Sequence, residues 1–253
     1  MWGTLAILCC NASATGKTIA IVIDDIGYHQ RDLELLSLPG AVTFSILPHT
    51  PYSQQFAYLA SKEGKELLLH VPMQANEPRP LGPGGLTLDM NKNELQSTLG
   101  HALASLPQVR GINNHMGSAL TQQTEAMKWV MELLKKRDLF FLDSRTTELT
   151  QAQSVANLYG VANVARNVFL DNELSEQALQ AQLDELKRVA TNERSAIAIA
   201  HPYPETFIFL AKALPQLLAE GYNLVPVSQL VSAKYLQLAT NEVPDFIEPI
   251  LTP

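Results

Sequence analysis

The 253-residue chain has only two cysteines, Cys9 and Cys10, both within its first fourteen residues. No thiol follows them, so no disulfide frames the fold. Any metal site has to use imidazole and carboxylate, the ligand set of catalytic rather than structural zinc. Charge is sparse as well. Charged residues make up 17% of the chain against 46% hydrophobic, the formal net charge is -7, and no Lys/Arg stripe interleaved with aromatics runs through it. Such a surface repels phosphate backbones, which argues against nucleic acid as a partner. Long apolar runs are missing too. The stretch Leu5 to Cys10 falls far short of the roughly 20 residues of a membrane-spanning helix, so no transmembrane helix is expected.

What is present is a soluble, globular composition long enough for one large core. Residues 1–14 combine the short apolar stretch with Asn11-Ala12-Ser13-Ala14, a small-residue cleavage pattern, and read as an export signal into a periplasmic or secreted setting. After it, apolar or β-branched runs of strand length alternate with helical patterns. Runs at 19–23, 41–46, 67–69, 109–114, 139–142, 196–200 and 223–227 read as strands. Residues 51–62 read as a helix. So do 121–137, with Met127, Val130, Met131 and Leu134 on one face, and 174–190, with Leu179, Leu183 and Leu186 inward. Phe207, Leu210, Ala211 and Leu214 form another stripe, which Pro215 should interrupt to start a second short helix. The pattern predicts an α/β fold, a (β/α) barrel of seven strands, with an open doubly wound sheet as the alternative. One domain over 17–232 and a proline-containing tail over 239–253 complete the expected organisation. The segment NEPRPLGPGG, residues 76–85, is either a rim loop over the site or a spacer.

Five of these strands stop at residues that bind metals or move protons: Asp24 and Asp25, His70, His115, Asp143, and His201. In a parallel α/β fold the C-terminal strand ends share one face, so these side chains converge. Adjacent carboxylates repel unless a cation or a shared proton relieves them. A divalent metal on one of Asp24 and Asp25 and a base role for the other is the economical reading. Two histidines and one carboxylate leave a coordination position open for water, which makes His70 and His115 the further ligand candidates. Asp143 and His201 form a candidate orienter and general acid. Asn113, Asn114, Arg166 and Asp171 lie at the same rim as supporting or substrate-binding groups. Gly16-Lys17-Thr18 is no phosphate-binding loop, since position 11 is Asn and no strand precedes it.

The segments IDDIGY (23–28), LLHVPM (68–73), GINNHMGS (111–118), FLDS (141–144), FLDN (169–172) and IAHPYPET (199–206) together resemble the divergent polysaccharide deacetylases, relatives of the carbohydrate esterases that de-N-acetylate chitin-like and peptidoglycan sugars. The resemblance implies a deacetylase-type barrel with Asp24 as general base and Asp25 and His70 as metal ligands. His201 would be the general acid, backed by Asp143. It also implies a divalent metal of the zinc type and an acetylated envelope polysaccharide as partner. Gln74 stands where the better-known deacetylases have a second metal histidine, and His115 from the neighbouring strand is the replacement this sequence offers. A non-catalytic envelope protein that keeps such a pocket to bind glycan or a partner is the rival reading.

Overall fold

A computed structural model of the chain describes residues 17–232 and Lys234; the expected export signal and C-terminal tail lie outside these residues. The strands are β1 (Thr18–Ile26), β2 (Val42–Ile46), β3 (Glu66–Met73), β4 (Gly111–Met116), β5 (Phe140–Asp143), β6 (Asn163–Ala165), β7 (Val168–Phe169), β8 (Ser195–Ala200) and β9 (Asn223–Leu224). The helices are α1 (Ser53–Lys62), α2 (Lys92–Ser105), α3 (Thr124–Lys136), α4 (Ala152–Tyr159), α5 (Glu176–Glu193) and α6 (Pro204–Ala219). All pairings are parallel, in the order β6-β5-β4-β3-β2-β1-β8-β7, with β9 added beside β1.

The two ends of that order are consecutive in sequence. Between β6 and β7 the Arg166 N–H donates to Asp143 O and the Asn167 N–H donates to Ile197 O, so residues 163–169 bridge from β5 to β8. The sheet therefore curls into a barrel in which β6 and β7 are two halves of one strand. Counted that way there are eight strands, seven around the curled sheet and β9 beside β1, one more than the seven expected, and the open doubly wound sheet is excluded.

Strand alternation sorts the apolar residues into two layers. Ile19, Ile21 and Ile23 of β1, Leu67, Leu69 and Val71 of β3, Phe141 of β5, and Ala196, Ala198 and Ala200 of β8 face outward into the main core. There they meet Met127, Val130, Met131 and Leu134 of α3 and Leu179, Leu183 and Leu186 of α5, the helical stripes expected from spacing. Ala20, Val22, Leu68, Phe140, Leu142, Ile197 and Ile199 face inward and fill the lower barrel. Val225, Val227, Leu230 and Val231 pack into this second layer.

Some boundaries differ from the sequence pattern. Strands β3 and β4 run past His70 and His115 because pairing persists from Leu68↔Gly111 through Met73↔Met116. The last strand is only Asn223–Leu224; beyond it, Val225 and Val227 serve the inner layer. Pro215 does not break its helix: α6 is continuous with Pro215 inside. A proline there sacrifices one backbone bond, and burial of Leu210, Ala213, Leu214 and Leu217 on the same helix offsets the loss. Helix α2 begins with a reciprocal cap, Asn91 accepting from Glu94 N and the Glu94 carboxylate accepting from Asn91 N. No helix among the described residues is long and apolar enough to cross a membrane.

Candidate metal and proton-transfer site

The inner layer turns from apolar to polar over one alternation step. Val22 is followed on the same face by Asp24, Leu68 by His70, Leu142 by Ser144, Phe169 by Asp171 and Ile199 by His201. These polar groups meet at the C-terminal rim of the barrel, where active sites of such folds are built.

Asp25 reaches the same space by a break in the alternation. Between β1 and β2 the register shifts from Ile23↔Phe44 to Ile26↔Ile46, three residues against two, which is a bulge. Ile23 and Ile26 both face the outer core, so the two residues between them, Asp24 and Asp25, can both face in. Asp25 carries the cost as a non-glycine residue at φ 59°. The turn that follows needs Gly27, at φ 123°, where an added Cβ would lie 2.3 Å from Thr50 Oγ1. Asp32 Oδ2 holds this turn by accepting from Gly27 N (2.9 Å) and His29 N (3.2 Å).

Asp25 Oδ1 lies 2.8 Å from His115 Nδ1 and 3.1 Å from His70 Nε2. It is nonetheless one of two buried side-chain atoms among the described residues that lack a hydrogen-bond partner. The nitrogens are close but do not aim an N–H at it, the arrangement of ligands directed at a shared point. Ligand atoms of Asp25, His70 and His115 all lie within 4.8 Å of one another. Neighbouring ligands about 2.0–2.2 Å from a tetrahedral ion are roughly 3.4 Å apart, so the set fits a divalent cation. Burial alone would raise the Asp25 carboxyl, and the His115 and His70 rings, when they carry their protons, hold it far below the usual range instead.

Asn113 organises the cluster. Its Oδ1 accepts from His70 Nδ1 at 2.8 Å and from Ser45 Oγ. Its Nδ2 donates to Asp24 Oδ1 at 2.8 Å and to Ser144 Oγ at 3.2 Å. A carbonyl at Nδ1 requires the proton there, which leaves the Nε2 lone pair free for a metal. Burial pushes the Asp24 carboxyl up, against the opposing pull of His70, His201 and the Asn113 amide.

On the far side, His201 Nδ1 meets Asp171 Oδ1 at 2.9 Å, while Asp171 Oδ2 accepts from His201 N and from Thr206 Oγ1. Burial would lower the His201 pKa; Asp171 overcomes it and raises the imidazole to about 9. Phe169 stacks on His201 with centroids 6.2 Å apart, and the Arg166 guanidinium lies 3.7 Å from the Phe169 ring centre. Arg166 is otherwise committed to Ser144 O and Arg145 O.

Two expectations need correction. Asp143 does not back His201: its carboxylate accepts from Arg145 N and Thr150 Oγ1. The reason is alternation, since Leu142 faces in and Asp143 therefore faces the helix layer. Asn114 also leaves the site, donating to Met116 O and accepting from Ser144 N as a loop brace. The structure assembles Asp24, Asp25, His70, Asn113, His115, Asp171 and His201 and adds Ser45 and Ser144, which residue-type reasoning passed over. Gln74 is not aimed at the site: its Oε1 accepts from Leu88 N. The 76–85 segment is tied at its base by Leu86, and an added Cβ at Gly82 would come within 2.8 Å of the Tyr28 hydroxyl, so it lies against the turn after Asp25 as a rim loop.

Fold and cluster together define a (β/α)-barrel protein with a metal-type site at its strand ends. The chain belongs to the divergent polysaccharide deacetylase family, whose profile matches residues 21–231. It is 35% identical to "Uncharacterized protein YibQ" of Escherichia coli (strain K12) over 232 residues, covering 91% of this chain and 70% of that protein. The crystal structure of an uncharacterized protein from Agrobacterium tumefaciens C58 superposes with a TM-score of 0.82 at 26% identity, covering 85% of this chain and 89% of that one. The catalytic domain of a peptidoglycan N-acetylglucosamine deacetylase from Eubacterium rectale ATCC 33656 shares the fold, with a TM-score of 0.50 at 13% identity over 83% of this chain and 88% of that one.

Proposed function

We propose that the protein is an exported, metal-dependent amide hydrolase that removes N-acetyl groups from a cell-envelope polysaccharide. The observation that carries this reading is the orphaned Asp25 Oδ1 set between His70 and His115, with a buried base candidate on one side and a paired imidazole on the other. The family to which the chain belongs supports the substrate class.

Asp25, His70 Nε2 and His115 Nδ1 would hold a zinc-type divalent cation, which supplies Lewis-acid polarisation of an acetyl carbonyl and acidifies water. Asp24, buried and raised in pKa, accepts the proton of the attacking water. Asn113 keeps that carboxylate and the His70 ring in fixed relation through one amide. His201, protonated at neutral pH, donates to the departing amine as the C–N bond breaks, and Asp171 holds its ring so that Nε2 carries the transferable proton. The amine leaves neutral with the His201 proton and the acetyl group leaves as acetic acid, which returns a proton to His201 as it ionises to acetate, while Asp24 releases the proton taken from water to solvent.

The test is acetate release from chitin-type oligomers and from peptidoglycan by zinc-loaded protein. Acetate should appear with metal and stop after chelation. Glycan binding without acetate from any acetylated envelope sugar would overturn the catalytic reading and leave a binding protein.

A further inference from the structure

The break between β6 and β7 leaves a seam in the barrel wall. β6 is paired with β5, and β8 with β1 and β7. Asn167 joins the two sides, its N–H donating to Ile197 O at 2.9 Å and its Oδ1 accepting from Ile197 N at 2.8 Å. Toward the start of both strands, Val164 and Ala165 of β6 and Ser195 and Ala196 of β8 line a cleft of about 800 Å³. None of the side chains gathered at the metal-type site lines it. Its floor is apolar, formed by Val164, Ile197 and Leu230 of the inner layer.

The walls carry Lys17, Arg145, Arg194 and Lys234 against one acid, Glu193, in a chain whose formal net charge is -7. Two of these cations are anchored to neutral amides. Arg145 Nη2 donates to Gln153 Oε1 at 2.8 Å, Gln153 Nε2 donates to Asn163 Oδ1 at 3.3 Å, and Lys234 Nζ donates to Asn163 O at 3.1 Å and to the same Oδ1 at 3.3 Å. No carboxylate takes part in this chain of contacts. Burial, and after it the charge of Arg145, lowers the Lys234 ammonium below its ordinary pKa, as expected of a cation whose neighbour is not neutralised. Arg194 ends α5 at φ 67° and Arg145 stands at φ 49°, left-handed backbone that glycine adopts at a helix end without penalty. Such an outlier points to a use for the side chain, and among the described residues that of Arg194 makes no hydrogen bond or ion pair.

We propose that this cleft binds a phosphate monoester, its phosphate taken by the cations of the walls and its organic body lying on the apolar floor. Guanidinium and ammonium groups without a carboxylate partner favour an anion with several acceptor oxygens, and a phosphate monoester, close to doubly charged at neutral pH, matches more than one of them where a carboxylate matches one. Glu193, exposed on the rim, leaves the cleft net cationic. The volume falls within the ~300–1,000 Å³ of small-molecule pockets. Binding here is independent of the hydrolysis proposed above, because the cleft shares no residue with that site. A free sugar phosphate and a phosphatidate headgroup present the same dianion.

The experiment is calorimetric titration of the full chain, zinc-loaded and chelator-treated, with hexyl phosphate, hexanoate and inorganic phosphate. Hexyl phosphate should bind to both forms of the protein, tighter by about tenfold or more than hexanoate, which carries a single charge, and than inorganic phosphate, which has no body for the floor. Arg145→Gln and Lys234→Gln should each weaken it by roughly tenfold. Arg194→Gly should weaken it as well while the denaturation midpoint stays level or rises, since glycine fits the left-handed backbone there, so this variant separates a lost contact from a lost fold. Glucose 6-phosphate and dihexanoyl phosphatidate distinguish the sources: tighter binding of the first assigns a free sugar phosphate, of the second a lipid headgroup, and either supports the site. Absence of hexyl phosphate binding to the wild-type protein, equal affinity for hexanoate, or affinity unmoved in Arg145→Gln, Lys234→Gln and Arg194→Gly would each overturn it. Binding that disappears on chelation would put the phosphate on the ion site and overturn it too. So would binding that appears only when Glu242→Gln, Asp245→Asn and Glu248→Gln are combined, which would assign the cleft to the chain's own acidic tail.

Discussion

The lower and upper halves of the barrel interior are made by the same strands, two residues apart, and they have opposite chemistry. Val22, Leu68, Leu142 and Ile199 give a dry packed layer; Asp24, His70, Ser144 and His201, one alternation step later, give a polar network in which the Asn113 amide is satisfied on both atoms. The lower layer can be swapped for other apolar groups at a cost in stability alone. The upper layer is tied to direction and protonation, so its changes should be felt in chemistry first. Substitutions on each side of that boundary test whether the division is real.

The largest effect should come from His70→Ala, which removes a ligand candidate and releases Asn113. Metal content and acetate release should be lost together, by at least the ~10²–10⁴ of a missing acid or base. Full metal occupancy in this variant, measured by mass spectrometry, would break the assignment of the upper layer. Asp24→Asn comes next. It should keep its metal and its fold while turnover drops by about 10²–10⁴, because only the proton acceptor is gone.

Alternation makes much of this site readable without coordinates. His201, Asp24 and His70 each follow an inward apolar residue by two positions, and the strand runs that carry them are plain in the sequence. The same rule selects Asp171 through Phe169 and rejects Asp143 through Leu142. Choosing Asp143 by residue type, as a carboxylate after a strand, ignored its parity. The bulge is different. Nothing in the composition of Ile23-Asp24-Asp25-Ile26 says that both acids turn inward; that depends on pairing with β2, on Gly27 at φ 123°, and on Asp32 reaching back to the turn. Pro215 was misleading for a similar reason, since the burial that tolerates it is tertiary.

Asp171→Asn should act through His201. Turnover should fall by roughly 10–100-fold, in the range of lost supporting contacts to a functional imidazole. The His201 pKa, about 9 in the metal-free protein, should drop toward its ordinary value of 6.5 and be visible by NMR titration. The sign for stability follows: a histidine raised on folding contributes stability that is fully present below about pH 6.5 and is lost as pH rises through about 9, up to about 3 kcal/mol. Wild-type denaturant midpoints should therefore decline between pH 7 and pH 10 more steeply than those of the variant. Equal slopes would remove the Asp171–His201 pair from the account.

Below the boundary, Ile199→Ala should cost about 2–5 kcal/mol of stability by opening a cavity in the lower layer, with turnover per folded molecule nearly unchanged. A loss of metal in this variant would show that the two halves are not separable.

The smallest effect on chemistry should come from Asp143→Asn, and it is the sharpest check on the correction made here. Asp143 is buried on the outer face, and burial raises its pKa against the pull of Arg145 N and Thr150. A carboxyl raised on folding opposes folding above its unfolded pKa, 3.8, because the ionised form is less favoured inside than outside. Asparagine keeps the shape, can accept from Arg145 N with its oxygen and can donate to Thr150 Oγ1 with its nitrogen, and carries no charge to bury. Stability at pH 7 should stay within about 1 kcal/mol of wild type or rise, and its dependence on pH between 4 and 7 should flatten. Turnover and the His201 titration should not move. A hundredfold loss of activity in Asp143→Asn, with His201 shifted, would return Asp143 to the role of orienter and show that strand parity does not decide which carboxylate serves the imidazole.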